Sequence, residues 1–107
     1  DFIFVHAGVN PDVDLVKCNG NELRWRSLHT DTFEAPASDG FLRPHFSGKQ
    51  VICGHTAQNK VLDLGFLICI DTGCGVFKTG RLTALDVKSK TIWQVGARNK
   101  KATMKSL

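Results

Sequence analysis

A chain of 107 residues has room for one small domain with a modest core, and 42% hydrophobic with 22% charged residues excludes a disordered chain, a collagen and a coiled coil. Its longest apolar run, Leu64 to Ile70, spans seven residues, where a membrane-crossing helix needs roughly 20. The net charge of +4 is uneven: residues 1–54 carry five basic and seven acidic side chains, residues 55–107 nine and three.

In chain order, Phe2 to Val5 is a continuous apolar run, the pattern of a strand buried on both faces. Such a strand needs neighbours on both sides, so the sequence reads as the C-terminal part of a longer protein. His6-Ala7-Gly8 and a polar loop around Asn10-Pro11-Asp12 follow. Asn21 to Leu28 is the best helical stretch, with Asn21 as N-cap and Leu23 and Trp25 on the packed side. Residues 30–48, punctuated by Pro36, Gly40, Pro44 and Gly48, read as a long loop. Strands are expected at Gln50 to Cys53, at Arg81 to Val87 and at Thr91 to Val95. Val61 to Asp63 and Phe66 to Ile70 flank Leu64-Gly65 as a hairpin. The expected class is α/β, with the second half mostly strands. Residues 98–107 form a basic tail, read as a solvated segment or, alternatively, a nucleic-acid contact; no aromatic residues interleave its charges, as single-strand binding requires.

Cys18, Cys53, Cys69 and Cys74 make no Cys-x-x-Cys pair, so a zinc ribbon or thioredoxin-like motif is absent. They read as reduced thiols of a cytoplasmic protein, with Cys53 and Cys69 as small core residues. His6 and His55 share one context, each placed where an apolar strand opens into a glycine-containing loop. Ligand sites in open α/β sheets gather at the carboxyl ends of strands, and imidazole is a common ligand for transition metals. The pair is therefore either a metal-ligand pair or two hydrogen-bonded strand-end histidines. Asp71, ending another strand in Asp71-Thr72-Gly73, is either a third ligand or a turn former. His29 and His45 lie in irregular polar sequence and are expected in solvent. The residues by themselves supply half a metal site.

Four segments occur here in an order that resembles the calcineurin-like metallophosphoesterases: Phe4-Val5-His6-Ala7-Gly8, Gly54-His55-Thr56, Ile70-Asp71-Thr72-Gly73-Cys74 and Gly80-Arg81-Leu82-Thr83-Ala84-Leu85. The likeness is strongest to the serine/threonine phosphoprotein phosphatase branch, with its bacterial members and the symmetrical dinucleoside tetraphosphatases. It implies that residues 1–97 are the C-terminal, mostly β half of a metallophosphoesterase sandwich, two mixed sheets flanked by helices. It also implies that His6 and His55 bind one of two divalent metal ions (manganese, iron or zinc). The remaining ligands, the bridging carboxylate and the catalytic histidine belong to Asp-x-His, Gly-Asp-x-x-Asp and Gly-Asn-His motifs that precede this region in the family. No catalytic residue is assigned within this chain.

Ala57 stands where many members of the wider superfamily have a second histidine, a departure shared with the phosphoprotein phosphatases. Leu23-Arg24-Trp25-Arg26-Ser27 resembles the family's Leu-Trp-x-Arg segment with the arginine one place early. Arg26 is accordingly a candidate phosphate ligand, or else a surface salt-bridge residue. Phe77 stands in a region where the family has a tyrosine, and this chain has none. The resemblance implies a phosphatase acting on phosphoserine or phosphothreonine proteins; the alternatives are a dinucleoside tetraphosphatase and a non-catalytic scaffold. The fragment alone is expected to be inactive and prone to aggregation.

Overall fold

The three most apolar short runs of the chain lie side by side. In the computed structural model, which describes residues 1–28 and 42–107, strand β1 (Phe2–Phe4) pairs in parallel with β2 (Gln50–Cys53), and β2 in parallel with β4 (Leu67–Cys69). A two-residue strand, β3 (Leu62–Asp63), returns antiparallel on β4, giving the order β1-β2-β4-β3. The expected hairpin is therefore present. Its turn works because Gly65 takes φ +81°, which a side chain disfavours, while its N–H reaches the Asp63 carboxylate at 2.9 Å.

Side chains alternate across a strand. Ile3, Val51, Cys53, Leu67 and Cys69 form the core on one face, covered by Val9 and Leu28 and by the partly buried Leu15, Leu23 and Leu42. The strands β5 (Arg81–Asp86), β6 (Thr91–Gly96) and β7 (Thr103–Ser106) make a separate antiparallel meander. Its first two strands lie where the alternating pattern placed them. β7 was not anticipated: Thr103-Met104-Lys105-Ser106 has one apolar residue and is exposed throughout, and only pairing with β6 makes it a strand. The end of the basic tail is thus solvated, as expected, but hydrogen-bonded.

Other details differ from expectation. Helix α1 runs Gly20–Trp25, capped by Asn19, whose side chain accepts from the Asn21 N–H at 2.8 Å; Asn21 lies inside the helix. Leu23 packs on the core, whereas Trp25 is 68% exposed. β1 is an edge strand with a single neighbour, and Phe4 is 63% exposed, so among the described residues only one face of this strand is well covered. His45, expected in solvent, is only 4% exposed. Its Nε2–H donates to the Val13 carbonyl at 2.9 Å and its Nδ1 accepts from the Ser47 N–H at 3.2 Å, so burial leaves neither nitrogen unpaired. Arg43 grips Asp12 with both ends of its guanidinium, and this hydrogen bond holds the Asp12 carboxyl below its ordinary range. His29 and residues 30–41 of the loop expected over 30–48 lie outside the described residues, and residues 42–48 carry no helix or strand, as expected. Among the described residues no helix is long and apolar enough to cross a membrane.

Candidate functional site

The parallel strands deliver their downstream residues to one place. His6, His55 and Asp71 each follow by two positions the last residue of β1, β2 and β4, which are neighbours in the sheet. All three line a cleft of about 440 Å³ whose opposite wall is Arg81, Leu82 and Thr83 at the start of β5.

Backbone hydrogen bonds lock the loops together. The Gly54 N–H donates to the His6 carbonyl at 2.8 Å, and the Gln58 N–H to the Asp71 carbonyl at 2.9 Å. A Cβ on Gly54 would lie 3.4 Å from Asp71 Cβ and 3.6 Å from the His6 carbonyl oxygen, so a small residue suits this junction. Thr56 is buried, and its hydroxyl accepts from the Leu28 N–H at 3.0 Å. Between these anchors His55 has φ +67°, and the Thr56 N–H closes on the Gly54 carbonyl at 2.7 Å. That is a γ-turn of the rare left-handed kind, unfavourable for a residue with a Cβ. Strain of this type persists only where the surroundings impose it, and it concentrates at functional positions.

The result is convergence of two imidazoles. His6 Nε2 lies 3.3 Å from His55 Nδ1. That is within hydrogen-bonding reach of two ring nitrogens. The same closeness would let both imidazoles serve as nitrogen donors to one divalent ion. Among the described residues no third histidine, cysteine or carboxylate joins them. Asp71 Oδ1 accepts from the Gly73 N–H at 3.0 Å, the turn-forming role, although the residue lines the same cleft.

Arg26, the candidate phosphate ligand, is placed differently. The stem of its side chain lies against Gly8, where a Cβ would sit 3.3 Å from Arg26 Cγ, and it lines a separate hollow with Leu28, Leu42 and Arg43. It is not among the residues lining the histidine cleft. Trp25 stands edge-on to the His55 ring, with centroids 5.6 Å apart at 87°. The helix holding it is tied to the His6 loop by the Ala7 N–H, which donates to the Leu23 carbonyl at 2.8 Å. Sequence reasoning assigned Trp25 to the core; the signal for its actual place was the brevity of the helix, which leaves it no second apolar turn.

Two further features escaped the sequence. Thr72 is buried, and its hydroxyl reaches the Arg81 carbonyl and the Thr83 hydroxyl, both at 2.6 Å, while Gln94 Nε2 donates to Thr83 at 2.9 Å. This chain fastens the Asp71 loop to the meander. Cys53 and Cys69 are register partners on β2 and β4, both buried. The hydrogen bond with Cys69, reinforced by burial, pushes the Cys53 thiol up, and Cys69 Sγ donates to the Thr56 carbonyl at 3.4 Å. Cys53 is thus a packing thiol, not a nucleophile. No family model matches this chain, and no curated protein matches it significantly.

Proposed function

We propose that this chain forms part of a metal-dependent phosphoester hydrolase in which His6 and His55 hold one divalent ion. The supporting observation is the 3.3 Å approach of His6 Nε2 and His55 Nδ1 at the ends of adjacent parallel strands. Neutral imidazoles suit manganese, iron or zinc. Such an ion supplies Lewis acidity to a phosphoryl oxygen and lowers the pKa of bound water. The chain's own contribution is placement: the γ-turn fixes His55, Trp25 screens one side of its ring, and the Gly54 N–H fixes the His6 loop. Two imidazoles leave most of the coordination shell open, so the site needs further ligands beyond those that the described residues bring together. The sequence resemblance favours phosphoserine or phosphothreonine proteins as substrates, ahead of a dinucleoside polyphosphate.

Full-length protein assayed with p-nitrophenyl phosphate and Mn²⁺ should show turnover abolished by a chelator. His6→Ala and His55→Ala should each lower kcat/KM by about a hundredfold or more, since even an outer-shell change at a metal site costs 10–100-fold. Absence of turnover across a phosphoester panel would overturn the reading. Comparison of a phosphopeptide with diadenosine tetraphosphate then ranks the substrates. The lack of a third ligand among the described residues favours one other reading, a scaffold that keeps the fold without the metals. Intact Asp-x-His, Gly-Asp-x-x-Asp and Gly-Asn-His motifs in the complete protein exclude it; eroded ones establish it.

A further inference from the structure

Arg81 belongs to two hollows at once. It lines the histidine cleft, and it also lines a neighbouring depression of about 160 Å³ with Gln94, Gly96, Asn99, Lys101 and Thr103. Its backbone is fixed on both sides: the N–H donates to the Thr72 carbonyl at 3.0 Å, and the carbonyl accepts from the Thr72 hydroxyl at 2.6 Å. The guanidinium therefore starts from an anchored position beside the Asp71 loop. Strand register supplies the rest of the depression, because Arg81 pairs with Gly96 and Gln94 with Thr103. The β6–β7 turn brings Arg98, Lys100 and Lys101 to this end of the sheet, and the Asn99 side chain shapes it by accepting from the Lys101 N–H at 3.2 Å.

Arg81, Arg98, Lys100 and Lys101 are exposed and, among the described residues, make no ion pair. Asp86 is at the opposite end of β5, and the nearer acid, Asp71, lines the histidine cleft with its carboxylate accepting from the Gly73 N–H. Arg81 and Lys101 line the depression, Arg98 and Lys100 lie in the adjoining β6–β7 turn, and this excess of positive charge attracts an anion. Because Arg81 joins the two hollows, an anion bound here lies along the path of a ligand in the cleft.

We propose that this end of the meander is an acidic-peptide subsite, taking carboxylates that flank a phosphorylated residue whose phosphate lies in the histidine cleft. This rests on the phosphatase reading for the cleft but not for the subsite itself. The chemistry favours a peptide over a nucleotide. The depression is lined by guanidinium, ammonium, amide and hydroxyl groups, and it has no aromatic ring on which a base could stack.

The test uses the full-length protein and two phosphoserine peptides of equal length, one followed by three aspartates and the other by three asparagines. Fluorescence anisotropy at low salt should show the aspartate peptide bound about tenfold more tightly, as several exposed charge pairs acting together predict. In Arg98→Gln/Lys101→Gln the preference should fall to about twofold, while Lys101→Arg should retain it. Turnover measured on the same samples separates the two readings. Loss of hydrolysis with a retained, substitution-sensitive preference removes the phosphatase reading and leaves the subsite. Hydrolysis of both peptides with equal affinity, or a preference indifferent to the substitutions, overturns the subsite. Competition by a single-stranded oligonucleotide of equal charge that binds more tightly through the same residues also overturns it, in favour of nucleic acid.

Discussion

The two sheets solve different problems with similar residues. The β1-β2-β4-β3 sheet is built from strands of two to four residues, and its parallel members are apolar almost without interruption. The first two strands of the meander have six residues each and alternate: in β6, Ile92 and Gln94 are buried, while Trp93 between them is 41% exposed. Parallel strands share a direction, so their downstream loops emerge together, and His6, His55 and Asp71 meet at one edge. Antiparallel strands send successive loops to opposite ends and gather no such cluster. The meander instead braces the site through Thr72, Thr83 and Gln94, and presents its basic turn beside it. The candidate metal donors come from the sheet with aligned strand ends, and the meander supplies the facing wall of the cleft.

The contrast can be broken most sharply at the core. Ile68 in β4 is fully buried, so Ile68→Ala should cost about 3 kcal/mol, whereas Met104→Ala on the outward face of β7 should stay within about 0.5 kcal/mol. Urea denaturation of both variants checks this; equal losses would mean that β7 packs against something its exposure does not show. The junction between the sheets comes next. A Cβ at Gly80 would collide with the Gly73 carbonyl, so Gly80→Ala should cost about 2 kcal/mol and disturb the Thr72–Arg81 contact. Full stability in that variant would show the junction to be loose.

A subtler comparison uses the two left-handed non-glycine residues among those described, one in each region: His55 at φ +67° and Lys90 at φ +58°. His55→Gly should raise stability by about 1 kcal/mol by releasing strain, while removing metal-dependent turnover. Lys90→Gly should change stability by less than about 0.5 kcal/mol, because the same relief is offset by loss of the Lys90 contacts with Gln50 and the Phe2 ring. Thermal melts distinguish them, and a destabilised His55→Gly would mean that the γ-turn is held by the ring, not imposed on it.

Acid lability is the smallest effect. Backbone N–H groups of Ser89 and Lys88 hold the Asp86 carboxyl below its ordinary value, and the hydrogen bond from Arg43 does the same for Asp12. A folded-state pKa depressed below the unfolded one contributes stability that is present above the unfolded value and lost as pH falls through the folded one. Stability should therefore decline only below about pH 4, the ordinary aspartate range. Asp86→Asn should flatten part of that decline for the meander turn, and Asp12→Asn part of it for the loop around His45, as melts at pH 3 and pH 6 would show.

Much of this was legible before any coordinates. The apolar runs at Phe2, Gln50 and Leu67 marked strands because backbone polarity hidden from water must be paired and flanked by apolar side chains. The shared setting of His6 and His55 marked them as a pair because strand ends are where loops gather, and their rings do converge. Legibility failed where local sequence is neutral. Nothing in Thr103-Met104-Lys105-Ser106 signals a strand until β6 offers it a partner. His45 looked like a surface residue because its neighbours in sequence are polar, yet the Ser47 N–H and the carbonyl of the distant Val13 satisfy both of its nitrogens and permit burial. Arg26 lay one place from the motif position, and as the extended residue that ends α1 it lines a different hollow.

The sequence by itself determined the elements other than β7, since periodicity and apolar content are local properties. It determined the candidate metal donors as residue types, since an imidazole after an apolar strand is visible in one dimension. Only the tertiary structure decided that two of those imidazoles stand 3.3 Å apart, that Trp25 faces His55, and that Arg81 joins the cleft to a basic depression. Distances between residues some fifty positions apart, as His6 and His55 are, are set by strand order, register and the close packing of loops. Those properties depend on all strands at once, and no single segment carries them.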